Sequence, residues 1–271
     1  GRVGRITLNR PQALHALTLN MCQLITGALL SWQDDPAVEL VLMDHAGDRG
    51  FCAGGDIRML AESGAGDGAA AREFFATEYR LNELLHRYPK PGVVIMDGVT
   101  MGGGVGLSLP AAVRIATERT TFAMPETGIG LFPDVGGGWF LPRLVGVPTA
   151  LDWVYSGRVF DAAEAKVRGL VQSLHEPDAL LPAAMELAHR VTEKSAPVSV
   201  AVSRQMIWRM MGAEHPMDAH KIDSRALQSR GQSADVKEGI ESFMQKRDPH
   251  FPNGVAGDFP ADLFAAEPEF E

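Results

Sequence analysis

From residue 3 to residue 123 the chain alternates short apolar segments with helical patterns, and glycine-rich turns mark the junctions. Residues 3–9 and 38–44 read as strands, as do 93–97, 113–116 and 121–123. Between the first two, Thr18 caps a helix whose Met21, Leu24, Ile25, Ala28, Leu29 and Trp32 recur at the spacing of one buried face. Residues 51–56 run into a turn, 63–70 (S-G-A-G-D-G-A-A) read as a mobile loop, and 71–87 are helical by pattern. Strands separated by helices require crossover connections, so the sequence predicts an α/β fold around a buried sheet. From about residue 148 the character changes. Asp161 with Glu164 forms a capping-box pattern, 170–174 reads as a last strand, and 178–194, 197–211, 214–230 and 235–247 read as four successive helices. The expected division is an α/β core over 1–195 and a helical region over 196–271.

Composition narrows the function classes. A 45% hydrophobic, 22% charged chain of 271 residues is ordinary for a globular protein with a large core. Its longest apolar stretch, 92–109, is broken by Asp97 and by glycines, so no membrane span is expected. A net charge of −9 argues against nucleic acid as a partner, although Arg58, Arg80, Arg87 and Lys90 could hold a small phosphorylated ligand. Cys22 and Cys52 form neither a C-x-x-C pair nor a metal spacing, which suits a reducing cytoplasm. The chain opens almost inside a strand, with no signal peptide visible. Its histidines are scattered without H-E-x-x-H, and no metal site is expected.

Two glycine turns, F-C-A-G-G-D (51–56) and M-G-G-G-V-G (101–106), let the backbone approach a ligand with N–H groups exposed. Gly55 and Gly103 are the natural donors of a paired oxyanion site; the alternative is tight packing at strand–helix junctions. Neither turn gives a dinucleotide or phosphate-loop fingerprint, and Ser108 lies in no G-x-S-x-G elbow. The segment 124–138, M-P-E-T-G-I-G-L-F-P-D-V-G-G-G, sets Glu126 and Asp134 among Met124, Ile129, Leu131, Phe132 and Val135. Carboxyls against a dry wall suit acid, base or nucleophile work; the same two residues also suit helix caps.

Taken together, N-R-P-Q-A-L-H-A-L (9–17), F-C-A-G-G-D-I (51–57), D-G-V-T-M-G-G-G-V-G-L (97–107) and F-A-M-P-E-T-G-I-G-L-F-P-D-V-G-G (122–137) resemble the crotonase, or enoyl-CoA hydratase/isomerase, superfamily. The resemblance implies a β-β-α superhelix whose C-terminal helices form trimers or hexamers. It also implies acyl-coenzyme A thioester substrates, with coenzyme A carried by the substrate and no separate cofactor. By motif position Gly55 and Gly103 would donate to the thioester carbonyl, while Ala53, Asp56, Ile57 and Arg58 would line the coenzyme A end. Hydratases of this superfamily carry one Glu where this chain has Gly106 and a second at Glu126. The E-x(7)-D pair Glu126/Asp134, with F-F-A-T-E-Y-R-L-N (74–82), instead resembles the 3-hydroxyisobutyryl-CoA hydrolase branch, which acts in valine breakdown. That implies Glu126 as nucleophile or general base, Asp134 on the substrate 3-hydroxyl or the leaving thiolate, and Glu78 at a substrate contact. In two places the chain departs from that branch: the C-terminal third resembles a hydratase ending, and His15 replaces the usual Asn near coenzyme A. The rival readings are an enoyl-CoA hydratase or isomerase of fatty-acid β-oxidation with Glu126 as sole base, and a non-catalytic acyl-CoA-binding protein.

Overall fold

Residues 2–264 are described by the computed structural model. Strand β1 (Val3–Leu8) pairs in parallel with β2 (Leu40–His45) across helix α1 (Leu19–Gln33), and each later turn of the chain adds strands to two sheets. Strand β3 (Gly50–Cys52) follows, then α2 (Ile57–Gly64), α3 (Ala69–Arg87), β4 (Gly92–Met96), β5 (Val99–Met101), α4 (Gly103–Ser108), β6 (Val113–Thr117) and β7 (Thr121–Ala123). Helices α5 (Gly137–Val145) and α6 (Val147–Ser156) lead to β8 (Phe160–Asp161), α7 (Ala162–Val167), β9 (Ser173–His175) and α8 (Pro177–Glu193). The larger sheet has the order β1-β2-β4-β6-β9 and the smaller β3-β5-β7-β8. Successive pairs β2/β3, β4/β5 and β6/β7 therefore place one strand in each sheet, with α1, α3 and later helices outside. This is the expected β-β-α superhelix.

The central strands β2 and β4 of the larger sheet are buried on both faces, which is why they read as nearly unbroken apolar runs. In β2, Leu40 and Leu42 face α8 with Val93, Ile95, Leu180, Ala184 and Ala188. Val41 and Met43 point to the opposite side, into the main core with Ile25, Leu29, Val94 and Met96. Thr18 caps α1 by accepting from the Met21 N–H at 3.3 Å. The buried stripe of α1 is Cys22, Ile25 and Leu29, whereas Leu24 is 64% exposed. The sequence pattern had assigned Leu24 to the core; it lies about 100° around the helix from Ile25, on the solvent side.

Three other expectations change. Strand β5 escaped notice because three residues between Gly98 and Gly102 show no period. The loop expected over 63–70 contracts to 65–68, where the Ser63 carbonyl accepts from Gly66 and Gly68 and its hydroxyl accepts from the Ala71 N–H. Asp161 caps α7 through the Glu164 N–H at 2.7 Å, but the Glu164 side chain does not complete the box: it accepts from Trp153 Nε1 and pairs with Arg158.

Beyond α8 the chain forms α9 (Pro197–Met210), α10 (Pro216–Arg230), α11 (Ala234–Gln245) and the short α12 (Val255–Asp258); α8 to α11 match the four expected helices, and α12 is added. Residues 265–271 of the expected C-terminal region lie outside the described residues. Arg204 of α9 locks this region to the core: its guanidinium donates to the carbonyls of Leu85, His86 and Tyr88 at the end of α3, and to that of Pro110. A cation at a helix C-terminus meets otherwise unpaired carbonyls there.

The tightest approach packs α4 against β3 of the smaller sheet. A Cβ at Gly104 would stand 2.2 Å from the Cys52 carbonyl oxygen, whereas one at Gly27, on the outside of α1, would meet nothing within 4 Å. Gly104→Ala is expected to destabilise by about 1–3 kcal/mol or more. Gly27→Ala is expected to stabilise by roughly 0.5–1 kcal/mol. Urea titrations of both variants check the opposite signs.

Candidate active site

The two glycine turns meet where β3 and β5 end. Leu17 bridges Gly55, with the Leu17 N–H donating to the Gly54 carbonyl and the Asp56 N–H to the Leu17 carbonyl. In a parallel bridge the flanking groups are used, so the Gly55 N–H points to the other side of the strand. Gly103 opens α4, where the first N–H groups have no partner within the helix. A Cβ on Gly103 would lie 3.5 Å from the Gly55 nitrogen, so the two candidate donors are neighbours. The packing alternative holds at the same time: Gly54 and Gly104 are there because nothing larger fits.

Glu126 arrives on the adjacent turn. The Gly102 N–H donates to the Ala123 carbonyl at the end of β7, and a 3₁₀ turn, Glu126–Ile129, follows at once. The Glu126 Oε1 atom stands 3.4 Å from where a Gly102 Cβ would be. The residue is 9% exposed and its Oε2 is buried without a hydrogen-bond partner among the described residues. Burial, and then the charge of Asp134, raise its pKa. Asp134 is half-buried, and its pKa is also raised by burial while a hydrogen bond from Tyr79 opposes the shift. Tyr79 Oη donates to Asp134 Oδ2 at 2.9 Å. The capping alternative fails for both acids: α5 is capped by Gly136 and the 3₁₀ turn by Pro125, neither through a side chain.

Val135, held at φ +48°, covers Gly106, where a Cβ would come within 2.8 Å of the Val135 Cβ. The position at which hydratases were expected to carry a second carboxylate is thus filled by a neighbour's isopropyl group. Beside Asp134 a cavity of about 500 Å³ opens, walled by Tyr79, His86, Phe132, Trp139 and Phe140.

The remaining expected residues sit around this centre. Glu78 is 2% exposed, and burial, then the Asp134 charge, push its pKa up to about 8. Ala53 is half-buried, and Ile57 and Arg58 are exposed at the start of α2. Asp56 caps α2 through the Arg58 N–H at 3.1 Å and pairs with Arg10 at 2.7 Å. His15 is 1% exposed, its Nδ1 accepting from the Arg10 N–H and its Nε2 2.9 Å from the Ala46 carbonyl. It braces the N-R-P turn rather than facing a coenzyme A site. Tyr79 was missed by sequence reasoning; the available signal was its i, i+4 spacing from Phe75, on which it stacks.

The model of the enoyl-CoA hydratase/isomerase family matches residues 3–151, more than half of the chain, and the chain belongs to that family. Among curated proteins, the mitochondrial 3-hydroxyisobutyryl-CoA hydrolase of Danio rerio is 56% identical over 146 residues, covering 54% of this chain and 38% of the relative. The human protein of the same name is 53% identical over the same coverage. The match therefore spans well under half the length of these relatives. Their names place them in mitochondria rather than the cytoplasm expected here. Among solved structures, an enoyl-CoA hydratase from Bacillus anthracis superimposes with a TM-score of 0.86 at 28% identity, covering 92% of this chain and 95% of the other. A putative enoyl-CoA hydratase/isomerase from Mycobacterium abscessus gives 0.85 at 32% identity, with coverage of 92% and 95%. Among the described residues no helix is long and apolar enough to cross a membrane.

The electrostatics predict a pH effect on stability. An unfolded Glu78 ionises near its ordinary value of 4.5, whereas the folded residue holds its proton up to about pH 8. The native state then binds more protons across that window, so this residue lowers stability as pH rises through it. Glu78→Gln, which resembles the protonated acid, is expected to raise Tm at pH 8 and to leave it nearly unchanged at pH 4.5. Thermal melts across that range check it.

Proposed function

We propose that this chain hydrolyses a short 3-hydroxyacyl-CoA thioester, of which 3-hydroxyisobutyryl-CoA is the type. The observation that carries the reading is the pair Glu126 and Asp134, close enough for one charge to shift the other, beside two neighbouring backbone donors. In this mechanism the thioester oxygen sits between the Gly55 and Gly103 N–H groups, each lowering the barrier by roughly 3–4 kcal/mol. Either Glu126 takes a proton from a water that attacks the carbonyl carbon, or it attacks that carbon itself and water then cleaves the resulting acyl-glutamyl anhydride; in both cases the C–S bond breaks and coenzyme A leaves as a thiolate that is then protonated. Asp134 accepts a hydrogen bond from the 3-hydroxyl at the acceptor sites that Tyr79 leaves open, so acyl groups lacking the hydroxyl leave those sites unfilled and are rejected. Glu78 and the turn formed by Ala53, Asp56, Ile57 and Arg58 complete the substrate and coenzyme A contacts. Coenzyme A enters only as part of the substrate.

Val135 over Gly106 supports hydrolysis over hydration, because a second hydratase carboxylate has no room there. The 53–56% identity to named hydrolases over 146 residues supports it too. A second reading is favoured by the whole-chain likeness to hydratase structures: an enoyl-CoA isomerase needs one base, and Glu126 suffices. A purely binding role is opposed by acids that cap nothing. The region 196–271 would join copies into a trimer or hexamer, for which Ile240, Phe243 and Met244 offer exposed apolar surface on α11. Two free, buried thiols, Cys22 and Cys52, suit a reducing compartment.

Glu126→Gln is expected to cut thiol release from 3-hydroxyisobutyryl-CoA by about 10²–10⁴-fold while leaving Kd for the thioester within a few-fold. Near-full turnover in that variant would remove Glu126 from the mechanism.

A further inference from the structure

Asp134 has to be held still if it is to read a hydroxyl group. It lies in an irregular segment between the Glu126 turn and α5, and a carboxylate on a loop is poorly fixed by its own backbone. The lateral restraint comes from α3. This helix is anchored by buried Phe74, Glu78, Leu81 and Leu84, and it carries Tyr79 to the edge of the cavity beside Asp134. The Tyr79 ring is fixed by stacking on Phe75, with centroids 5.7 Å apart and planes 28° from parallel, and its hydroxyl donates to Asp134 Oδ2 at 2.9 Å. A donor on one carboxylate oxygen orients the group and leaves its remaining acceptor sites to a ligand.

We propose that Tyr79 is the positioning residue of this site: by holding Asp134 Oδ2 it aims the carboxylate at the substrate 3-hydroxyl, and so sets the preference for 3-hydroxyacyl over unsubstituted acyl groups. Tyr79 itself touches no reacting atom. The inference rests on the acyl-CoA reading of the site but not on which reaction follows binding. A merely structural Tyr79 would affect all substrates alike; a positioning one acts only on those that Asp134 reads.

The test compares 3-hydroxyisobutyryl-CoA with isobutyryl-CoA, which lacks only the hydroxyl, in wild type, Tyr79→Phe, Asp134→Ala and the double variant. Tyr79→Phe keeps the ring and its stack on Phe75. It is expected to lower kcat/KM for the hydroxylated thioester by roughly 10- to 100-fold, the range for a hydrogen bond to a charged group, and for isobutyryl-CoA by less than about 3-fold. In the Asp134→Ala background the same change is expected to add nothing, because the acceptor of the Tyr79 hydroxyl is gone. Equal losses on both substrates, or an undiminished loss in the Asp134→Ala background, would overturn the proposal. If wild type releases thiol from neither compound, the hydrolase reading fails on its own. The same comparison is then made with Kd values of the two non-hydrolysable thioether analogues, where an unchanged ratio in Tyr79→Phe overturns the positioning role. Should Tyr79→Phe melt early, 3-fluorotyrosine in place of Tyr79 keeps the ring and strengthens the donor. It is expected to preserve the wild-type ratio, and a collapse of that ratio counts against the proposal.

Discussion

The contact between Gly104 of α4 and β3 governs how the two glycine turns meet on the smaller sheet. With the Cys52 carbonyl oxygen only 2.2 Å from an added Cβ at Gly104, no side chain can enter, and the two glycine turns are pressed against one another. Gly54 is confined likewise, its own added Cβ lying 3.0 Å from the Gly103 nitrogen. Steric exclusion at these positions brings the Gly55 and Gly103 backbones side by side. Because β7 is tied to the same turn through Gly102, the segment carrying Glu126 is delivered to that place as well. A packing constraint of the core thus fixes the spacing of groups that a thioester would need. Structural and functional explanations of the glycines are one explanation.

Polarity is arranged around that contact with few partners. Glu126 and Glu78 each keep a buried carboxylate oxygen without a hydrogen-bond partner among the described residues, and both hold their protons more tightly than a solvated Glu. Asp134 differs because Tyr79 reaches it. Asp134 is in electrostatic range of both glutamates, and the three carboxyls have unequal surroundings, which is how neighbouring acids come to take different roles. Beside these groups the space over Gly106 is apolar: it is occupied by Val135, in a strained left-handed conformation.

Much of this was legible in the sequence. The apolar runs of β2 and β4 and the four C-terminal helices follow from periodicity that tertiary packing reinforces. Glycine turns and the two acids stood out because their residue types conflict with their surroundings. What was illegible depended on distant chain segments. Strand β5 is defined by its neighbours β3 and β7, not by any pattern of its own. Leu24 obeys the helical spacing yet faces out, since the core boundary is set by β1 and α3. His15 belongs to a motif that suggested a ligand contact, but its ring is consumed by Arg10 and Ala46, which only the folded turn brings together. Tyr79 meets Asp134 across 55 positions, a distance no local pattern can report.

Family membership covers the fold, while the reaction rests on a few side chains, so the central claim is the chemistry performed on the acyl thioester. Its most direct test incubates the protein with 3-hydroxyisobutyryl-CoA and with crotonyl-CoA, following free thiol and enoyl-thioester absorbance together. Hydrolysis predicts stoichiometric thiol from the 3-hydroxyacyl compound, with no change in enoyl absorbance from either. Loss of enoyl absorbance from crotonyl-CoA without free thiol would contradict it.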